Sequence, residues 1–171
     1  MSLLVINNLP EYDVDSIKAI KKILKENIDC HILQARALNI KNCIGCKSCM
    51  FKTPGVCCFN DDYKIIEKEL LKHNDVIVIS ETSLDFLDYR TIKIFERRFP
   101  WAVVFCEFRD KKIRHIRRYN HQLRIGVLYK GILNNKMLNE WLDLYTNHGN
   151  DISLGAFHIN DVEEMCKCIL Q

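Results

Sequence analysis

The chain alternates between short apolar runs and longer stretches in which apolar residues recur every three or four positions. Continuous apolar runs are typical of strands buried on both faces of a parallel sheet, and the longer period is typical of amphipathic helices. We predict core strands at residues 3–6, 29–33, 76–79, 125–129 and 152–157. We predict helices at residues 17–24, 62–73, 89–99, 134–148 and 162–169. Right-handed crossovers turn this strand–helix order into an α/β doubly wound parallel sheet.

One stretch departs from the alternation of strand and helix. Pro100 ends the third helix, because a proline ring cannot continue it. Residues 102–108 then form a predicted strand, and residues 113–119 return as its hairpin partner. The hairpin is therefore an insert, at about residues 102–119, ahead of the fourth core strand.

Aromatic residues in and beside the insert predict an assembly. Phe105 and Phe108 lie in the hairpin and Trp101 lies next to it. A two-stranded ribbon cannot bury three such rings on its own. We predict a homodimer that covers them, because closed twofold dimers are the commonest oligomers.

Length and composition favour one ordinary domain, residues 1–171, since 48% of the residues are hydrophobic and 27% are charged. No apolar run approaches ~20 residues, so no membrane partner is predicted. The first residues lack the basic and apolar regions of a signal peptide, and we expect a cytoplasmic protein. Nine cysteines, an odd number, then favour reduced thiols or metal ligands over a disulfide framework.

Five of the cysteines lie in one segment between the second strand and the second helix. Cys43, Cys46 and Cys49 are spaced C-x2-C-x2-C, and Cys57 follows eight positions later. Thiols so spaced can bind soft metals, so these four are candidate ligands of a [4Fe–4S] cluster, with Cys58 as a spare. The alternatives are free thiols, a disulfide formed during handling, and adventitious zinc.

We favour free thiols, because the interval between Cys49 and Cys57 is long for a compact cluster loop and contains a turn signal, Pro54-Gly55. Without a metal the segment must be held by its own packing. We therefore predict that its apolar side chains point inward: Ile44, Met50, Phe51 and Val56. The remaining cysteines lie in strand or helix patterns and are predicted to be small core residues: Cys30, Cys106, Cys166 and Cys168.

The cysteine segment resembles that of the NAD(P)H-dependent FMN reductases and iron–sulfur flavoproteins, a family with the flavodoxin-like fold. It shares C-x-G-C-x-x-C, then Lys-Thr-Pro-Gly, a further cysteine, and the pair Asp61-Asp62, which are also predicted N-cap residues of the next helix. Residues 92–97, Ile-Lys-Ile-Phe-Glu-Arg, are similar to a helix motif of the same family.

The resemblance implies a five-stranded sheet in the order 2-1-3-4-5, with FMN in the crevice at the carboxyl ends of strands 1 and 3. It implies NAD(P)H as reductant and a small-molecule electron donor and acceptor. The flavin carries the chemistry in such an enzyme, so we assign no catalytic side chain. The residues implied at the flavin phosphate are Asn7, Asn8 and Ser16. The residues implied at the flavin ring are Thr82, Ser83, Leu84, Asp85, Tyr129, Lys130 and Gly131.

Two crevice loops depart from the family pattern. Residues 7–16 contain no Gly or Thr, and three acids among them would repel a phosphate. In the second loop Thr82, Leu84 and Phe86 stand where the family has a proline, a tyrosine and a glycine. The sequence therefore leaves two functions open: a flavin oxidoreductase, or a flavin-free binding or regulatory module on the same scaffold.

The insert is also basic. Residues 109–124 include seven Lys or Arg and one acid, Asp110. The hairpin resembles an insert found in part of the family, which implies a dimer interface or a lid on the neighbour's site. The alternatives are a solvated hairpin and a phosphate or nucleic-acid patch. No nucleic-acid-binding motif accompanies the run, so the last interpretation ranks lowest.

Overall fold

The computed structural model describes residues 2–10, 14–24, 28–109 and 111–171. The strands are β1 (Ser2–Asn7), β2 (Asp29–Gln34), β3 (Asp75–Ser83), β4 (Phe86–Leu87), β5 (Ala102–Arg109), β6 (Lys112–Arg117), β7 (Arg124–Lys130) and β8 (Ile152–His158). The helices are α1 (Val14–Leu24), α2 (Ser48–Phe51), α3 (Tyr63–Leu70), α4 (Tyr89–Glu96), α5 (Asn135–Gly149) and α6 (Val162–Leu170).

Five parallel strands form the central sheet in the order β2-β1-β3-β7-β8. This confirms the predicted flavodoxin-like order 2-1-3-4-5, with β7 and β8 as the fourth and fifth core strands. In the described residues no helix is both long enough and apolar enough to cross a membrane.

Both faces of the sheet are covered, which explains why its central strands are continuously apolar. Side chains of β1 point alternately to the two faces. Leu4 and Ile6 join the core that contains residues of α3, α4 and α5. Leu3 and Val5 join the core that contains residues of α1 and α6.

The strand order reverses between β1 and β3, so the carboxyl ends of these strands open a crevice. The loop after β1, the turn after β3 and the loop after β7 meet at this edge of the sheet. The cysteine segment follows β2, which pairs with β1 from Ser2 with Asp29 to Asn7 with Gln34. It therefore lies beside the crevice.

Several local features differ from the predicted elements, among them α2, a four-residue helix inside the segment predicted as a cysteine loop. α4 ends at Glu96, and a 3-10 turn over Phe99–Trp101 follows, because Pro100 lacks the N–H that a continuing α-helix needs. The region predicted as a loop at residues 81–88 contains β4, which pairs antiparallel with the end of β3. Leu84 and Asp85 form its two-residue turn with φ values of 51° and 59°, the conformation that suits tight hairpins.

The predicted hairpin insert is present. β5 and β6 pair antiparallel in a two-stranded sheet of their own, with Arg109 opposite Lys112 at the tip. Its base is joined to the domain by the bond from the Arg118 N–H to the Trp101 carbonyl, 2.7 Å, and by the Trp101 ring, which packs edge-on against Tyr119. Trp101 is therefore buried in the core of its own chain, and the prediction that a second subunit covers it is wrong.

Candidate functional site

The first crevice loop directs its polar groups inward. Asn7 and Asn8 are fully buried. The Asn7 amide donates to Gln34 Oε1 at 3.0 Å, and its oxygen accepts the Leu9 N–H at 3.2 Å. The backbone N–H of Asn8 donates to the Ile79 carbonyl at 2.9 Å. Pro10 has no N–H to offer.

The Asn8 side chain starts a buried chain of hydrogen bonds. Its amide donates to Thr91 Oγ1 at 2.7 Å, and the hydroxyls of Thr91 and Ser80 lie 2.7 Å apart. Ser80 donates to the Glu81 carbonyl at 2.7 Å, so the Thr91 hydroxyl donates to Ser80. Each hydroxyl proton is therefore donated within the protein. These hydrogen bonds connect the β1 loop to β3 and α4.

The phosphate end of the crevice therefore does not fit an FMN phosphate among residues 7–10. Such a phosphate needs free N–H and O–H donors, and the donors described there bond within the protein. Ser16 lies half-buried in the first turn of α1. The acids Glu11 and Asp13 lie outside the described residues.

The end of the crevice that is implied to hold the flavin ring, the ring end, differs from the phosphate end. Gly131 has φ 125°, and a Cβ built on it would lie 2.1 Å from Thr82 Oγ1, so the end of β3 contacts the start of the loop after β7. Leu84, in the turn that follows β3, is 98% exposed, and Ile132, in the loop after β7, is 91% exposed. Exposed aliphatic side chains at one edge of the sheet offer apolar surface that a planar ring can cover.

The other predicted ring residues lie in the same region but present less surface. Ser83 pairs with Phe86 in the β3–β4 hairpin, and Asp85 completes the turn. Lys130 is exposed at the end of β7. Tyr129 is buried and packs edge-on against His158 at 5.5 Å, and burial raises the pKa of its phenol. Tyr129 therefore forms part of the wall of the crevice and offers little exposed surface to a ligand.

The cysteine segment is fastened by a buried ion pair. The Arg97 guanidinium donates two bonds to Asp61, at 2.7 and 3.0 Å, and a third to the Lys41 carbonyl at 2.7 Å. Asp61 also accepts the N–H groups of Lys41 and Tyr63. Burial opposes ionisation of Asp61, but the bonds from Arg97 and Lys41 outweigh it and lower its pKa.

These contacts give the two predicted N-cap acids a second role. Asp61 caps the Tyr63 N–H and holds the loop at the same time. Asp62, the N-cap residue of α3, uses its carboxylate to accept the Asn39 N–H at 2.8 Å. Arg97 is the last residue of the helix motif that carried the family resemblance, and its role here is structural.

The ion pair explains why one prediction about this segment is wrong. Met50 is buried, but Ile44, Phe51 and Val56 are exposed. Carboxylate-to-backbone bonds, rather than inward apolar packing, hold the loop. The predicted turn at Pro54-Gly55 is present, with φ 84° at Gly55 and a bond from the Val56 N–H to the Thr53 carbonyl.

The thiols of the segment line one small cavity of about 50 Å³ together with Arg97 and Phe59. Cys49 is buried, Cys43 and Cys57 are half-buried, and Cys46 and Cys58 are exposed. Within the described ranges, no three His, Cys, Asp or Glu side chains are grouped so that they could hold a metal ion. The four candidate ligands share a loop but do not form a ligand set.

Cys46 instead contacts Cys58, the predicted spare, with 3.5 Å between the two sulfur atoms. The N–H and hydroxyl of Ser48, with the Cys58 thiol, lower the pKa of Cys46 to about 7. Donation to Cys46 raises the pKa of Cys58 to about 11. The pair thus combines a thiol that ionises readily with one that stays protonated.

The remaining cysteines follow the predictions in part. Cys166 is buried, and Cys30 and Cys168 are half-buried against the same core. Cys106 was predicted in the core but is exposed, 3.6 Å from His115 Nδ1. The prediction fails because β5 belongs to the separate hairpin sheet rather than to the central sheet.

A larger cavity, of about 740 Å³, lies between α4, α5 and the hairpin. Its floor is aromatic: Trp141 packs edge-on against Phe86 and Phe95 and stacks on Tyr145. The sequence pattern does not predict this groove, although Trp141 and Tyr145 stand four positions apart on one helix face. Its formation depends on where the hairpin packs.

The arginines around the groove bond to the protein itself. Arg98 and Arg117 share the buried Asp151 carboxylate, at 2.7 and 2.9 Å. Arg114 is buried and donates to Asn147 Oδ1 at 2.8 Å and to the His148 ring. Much of the basic run is therefore structural, and the open surface of the groove is mainly aromatic.

No protein-family model matches the chain, and no curated protein matches its sequence. Solved structures match its fold. The FMN-dependent NADH-azoreductase of Bacillus anthracis str. Ames Ancestor, in complex with FMN, has a TM-score of 0.53 and 10% identity over 100% of both chains. Smu.1420 of Streptococcus mutans UA159 has a TM-score of 0.61 and 9% identity over 98% of this chain and 97% of that one.

A third similar structure is RosB with bound 8-demethyl-8-formylriboflavin-5'-phosphate, with a TM-score of 0.60 and 8% identity over 92% of this chain. This chain spans only 64% of RosB. At such identities the similarity shows the fold: the chain is a flavodoxin-like α/β protein. Its structural neighbours include proteins whose names specify FMN and NADH.

Proposed function

We propose that this chain is an oxidoreductase of the NAD(P)H-dependent FMN reductase type, which binds flavin through the ring rather than the phosphate. One observation carries the proposal: at the ring end of the crevice of a flavodoxin-like sheet, Leu84 and Ile132 are exposed on the segments that follow β3 and β7. The fold supports the same class, and its structural neighbours include an FMN-dependent NADH-azoreductase.

The phosphate end of the crevice determines the expected preference between FMN and riboflavin. Because Asn7, Asn8 and the Leu9 N–H bond within the protein, the phosphate of FMN gains few contacts there. FMN and riboflavin should then bind with similar affinity, within about threefold, since a tenfold difference needs about 1.4 kcal/mol of differential contact. The redox chemistry belongs to the flavin, and no side chain of this chain is assigned a chemical step.

The test is titration of FMN and of riboflavin, followed by quenching of flavin fluorescence. Leu84→Ser should weaken both ligands about tenfold, because it removes apolar surface from the ring end. Leu170→Ser, at an exposed leucine near the end of α6, is the matched control and should change neither. Preferential binding of FMN by more than about a hundredfold would contradict a ring-anchored site.

A second function is favoured by the same buried donors. If the crevice takes no flavin, the chain is a flavin-free binding or regulatory module on a flavodoxin-like scaffold. The absence of saturable quenching by either flavin, together with no flavin-dependent NAD(P)H oxidation, would support the module. Saturable quenching by both flavins would exclude it.

We also propose that the chain forms a homodimer through the hairpin and the aromatic groove. Phe105, Phe108 and Ile113 are exposed on the hairpin, and Trp141 and Tyr145 line the groove. A twofold axis would place each hairpin against the partner's groove and cover both apolar surfaces. Sedimentation at tens of micromolar should show a dimer, and Phe105→Ser with Phe108→Ser should shift it toward monomer. A wild-type monomer at that concentration would overturn the proposal.

A further inference from the structure

The exposed pair of cysteines in the cysteine segment has the geometry of a dithiol that can close. Cys46 and Cys58 are both exposed, and their sulfur atoms are 3.5 Å apart. A disulfide has an S–S distance of about 2.0 Å, so closure needs a movement of roughly 1.5 Å. We propose that Cys46 and Cys58 form a redox-active dithiol/disulfide pair that exchanges with low-molecular-weight disulfides, Cys46 attacking and Cys58 resolving.

The backbone presents Cys46 to solvent. Gly45 and Lys47, on either side of it, both have left-handed φ values, 64° and 56°. Cys46 lies between these two residues and is exposed, so an external disulfide can reach its sulfur. The N–H and hydroxyl of Ser48 are also directed at this sulfur.

Cys58 is suited to the resolving step. It is exposed, and its sulfur already lies 3.5 Å from that of Cys46. Once Cys46 is joined to an external thiol, it no longer carries negative charge, and Cys58 can lose its proton and attack. Both thiols line one cavity together with Lys47.

The other thiols are placed less well for this chemistry. Cys49 is buried, and burial raises the pKa of its thiol. Cys43 and Cys57 are half-buried, and no sulfur contact joins either of them to Cys46. The buried Arg97–Asp61 pair holds the loop on its inner side. Cys46 and Cys58 can therefore keep their relative position without a metal.

The exchange takes place in two steps. The Cys46 thiolate attacks one sulfur of the external disulfide, its S–S bond breaks, and one thiol leaves with the proton that Cys46 gave up. Cys58 then attacks the Cys46 sulfur of the mixed disulfide, and the second external thiol leaves with the proton of Cys58. The protein dithiol is oxidised by two electrons, and the external disulfide is reduced to two thiols.

This inference goes beyond the proposed function, because it requires no flavin and involves no residue of the crevice. It also differs from the cluster hypothesis, which groups Cys46 with Cys43, Cys49 and Cys57 and leaves Cys58 spare. The two hypotheses predict different partners for Cys46, so single substitutions separate them.

The experiment treats the reduced, metal-chelated full chain with glutathione disulfide, under anaerobic conditions, and quenches it with acid. Intact mass should show the loss of two hydrogens, and tryptic peptides 42–47 and 53–64 should be linked. Cys43→Ser and Cys57→Ser are the matched controls and should keep this link. In a Cys43→Ser background, Cys58→Ser should instead stop at one glutathione on Cys46.

Cys46→Ser should lose both the link and the adduct, with at least a tenfold lower rate of glutathione incorporation. Circular dichroism checks the fold of each variant, and both substituted positions are exposed, so folding should be kept. The proposal is overturned if Cys58→Ser still forms an internal disulfide, if Cys57→Ser abolishes the link, or if glutathione disulfide leaves the protein unchanged.

Discussion

The loops after β1 and β2 leave adjacent strands of one sheet, yet they use their polar groups in opposite ways. In the β1 loop, Asn7 and Asn8 turn inward, and their amides bond to the protein. In the cysteine segment, Asp61 turns inward to hold the loop, while Cys46 and Cys58 remain exposed. In the β1 loop the polar side chains are occupied by bonds within the protein. In the cysteine segment the side chain that holds the loop is different from the thiols that can react.

This difference shows how a fold can keep its shape while its functional site changes place. The sheet creates the crevice whatever the loops contain, but binding depends on donors that are left free. At the β1 loop the described donors are satisfied by the protein. In the cysteine segment the buried Arg97–Asp61 pair also bonds to the backbone of Lys41, so these bonds join the two ends of the segment.

The largest effect is expected from breaking the anchor of the cysteine segment. The side chains of Arg97 and Asp61 are 1% and 3% exposed. Arg97→Met leaves a buried carboxylate unpaired and should lower the free energy of unfolding by about 3–5 kcal/mol. Urea unfolding measures this, and Glu96→Gln, at the exposed neighbouring residue, should have almost no effect.

The pH dependence of that effect tests its cause. Asp61 has a lowered pKa in the folded protein, so its contribution is present at neutral pH and is lost as pH falls through the folded pKa. In Arg97→Met the Asp61 carboxylate is buried without its partner, and protonation removes its unpaired charge. The difference in the free energy of unfolding between the wild type and Arg97→Met should therefore become smaller below about pH 4. A gap that does not change with pH would mean that lost packing, not charge, causes the effect.

The sequence was sufficient to predict the sheet because β1, β3 and β7 are apolar on both faces, a pattern that few other structures produce. The hairpin and the turn at Pro54-Gly55 were also predictable, since Pro100 and Pro54 restrict the local backbone. The strand order came from the family resemblance and not from the pattern alone.

The direction of side chains in the loops was not predictable, because distant partners decide it. Arg97 lies 36 positions from Asp61, and it replaced the inward packing expected of Ile44 and Phe51. The β3–β4 hairpin was missed because Leu84-Asp85 lacks the Asn-Gly or Asp-Gly signature of such turns. The burial of Asn8 depends on Thr91, which belongs to another element.

A second prediction compares one glycine from each region. Gly131, in the crevice, has φ 125° and Thr82 Oγ1 at 2.1 Å from the position of a Cβ, whereas Gly45 has φ 64° and open space. Gly131→Ala should therefore cost about 2–3 kcal/mol of stability and Gly45→Ala about 1–2, from backbone strain alone. Adding Thr82→Ala should recover part of the first loss. Equal losses at the two glycines would mean that the Thr82 hydroxyl does not restrict the space beside Gly131.

A third prediction concerns the buried amide of the β1 loop. Asn8→Ala removes the donor to Thr91 and should destabilise the protein by about 1–2 kcal/mol. Its stability effect should not add to that of Thr91→Val, because the two side chains share one bond. The ratio of FMN to riboflavin affinity should stay the same. A selective loss of FMN affinity in Asn8→Ala would show that Asn8 reaches the phosphate.

The smallest effect is expected at the exposed end of the cysteine segment. Cys46→Ser changes one exposed sulfur to oxygen and leaves the Arg97–Asp61 anchor intact, so the free energy of unfolding should change by no more than about 0.5 kcal/mol. Cys49→Ser, which buries a hydroxyl, should cost about 1–2 kcal/mol and is the matched contrast. Urea unfolding and metal analysis of aerobically purified protein measure both. If Cys46→Ser disorders the segment, or if the wild type carries stoichiometric iron or zinc, a metal rather than the ion pair holds this loop.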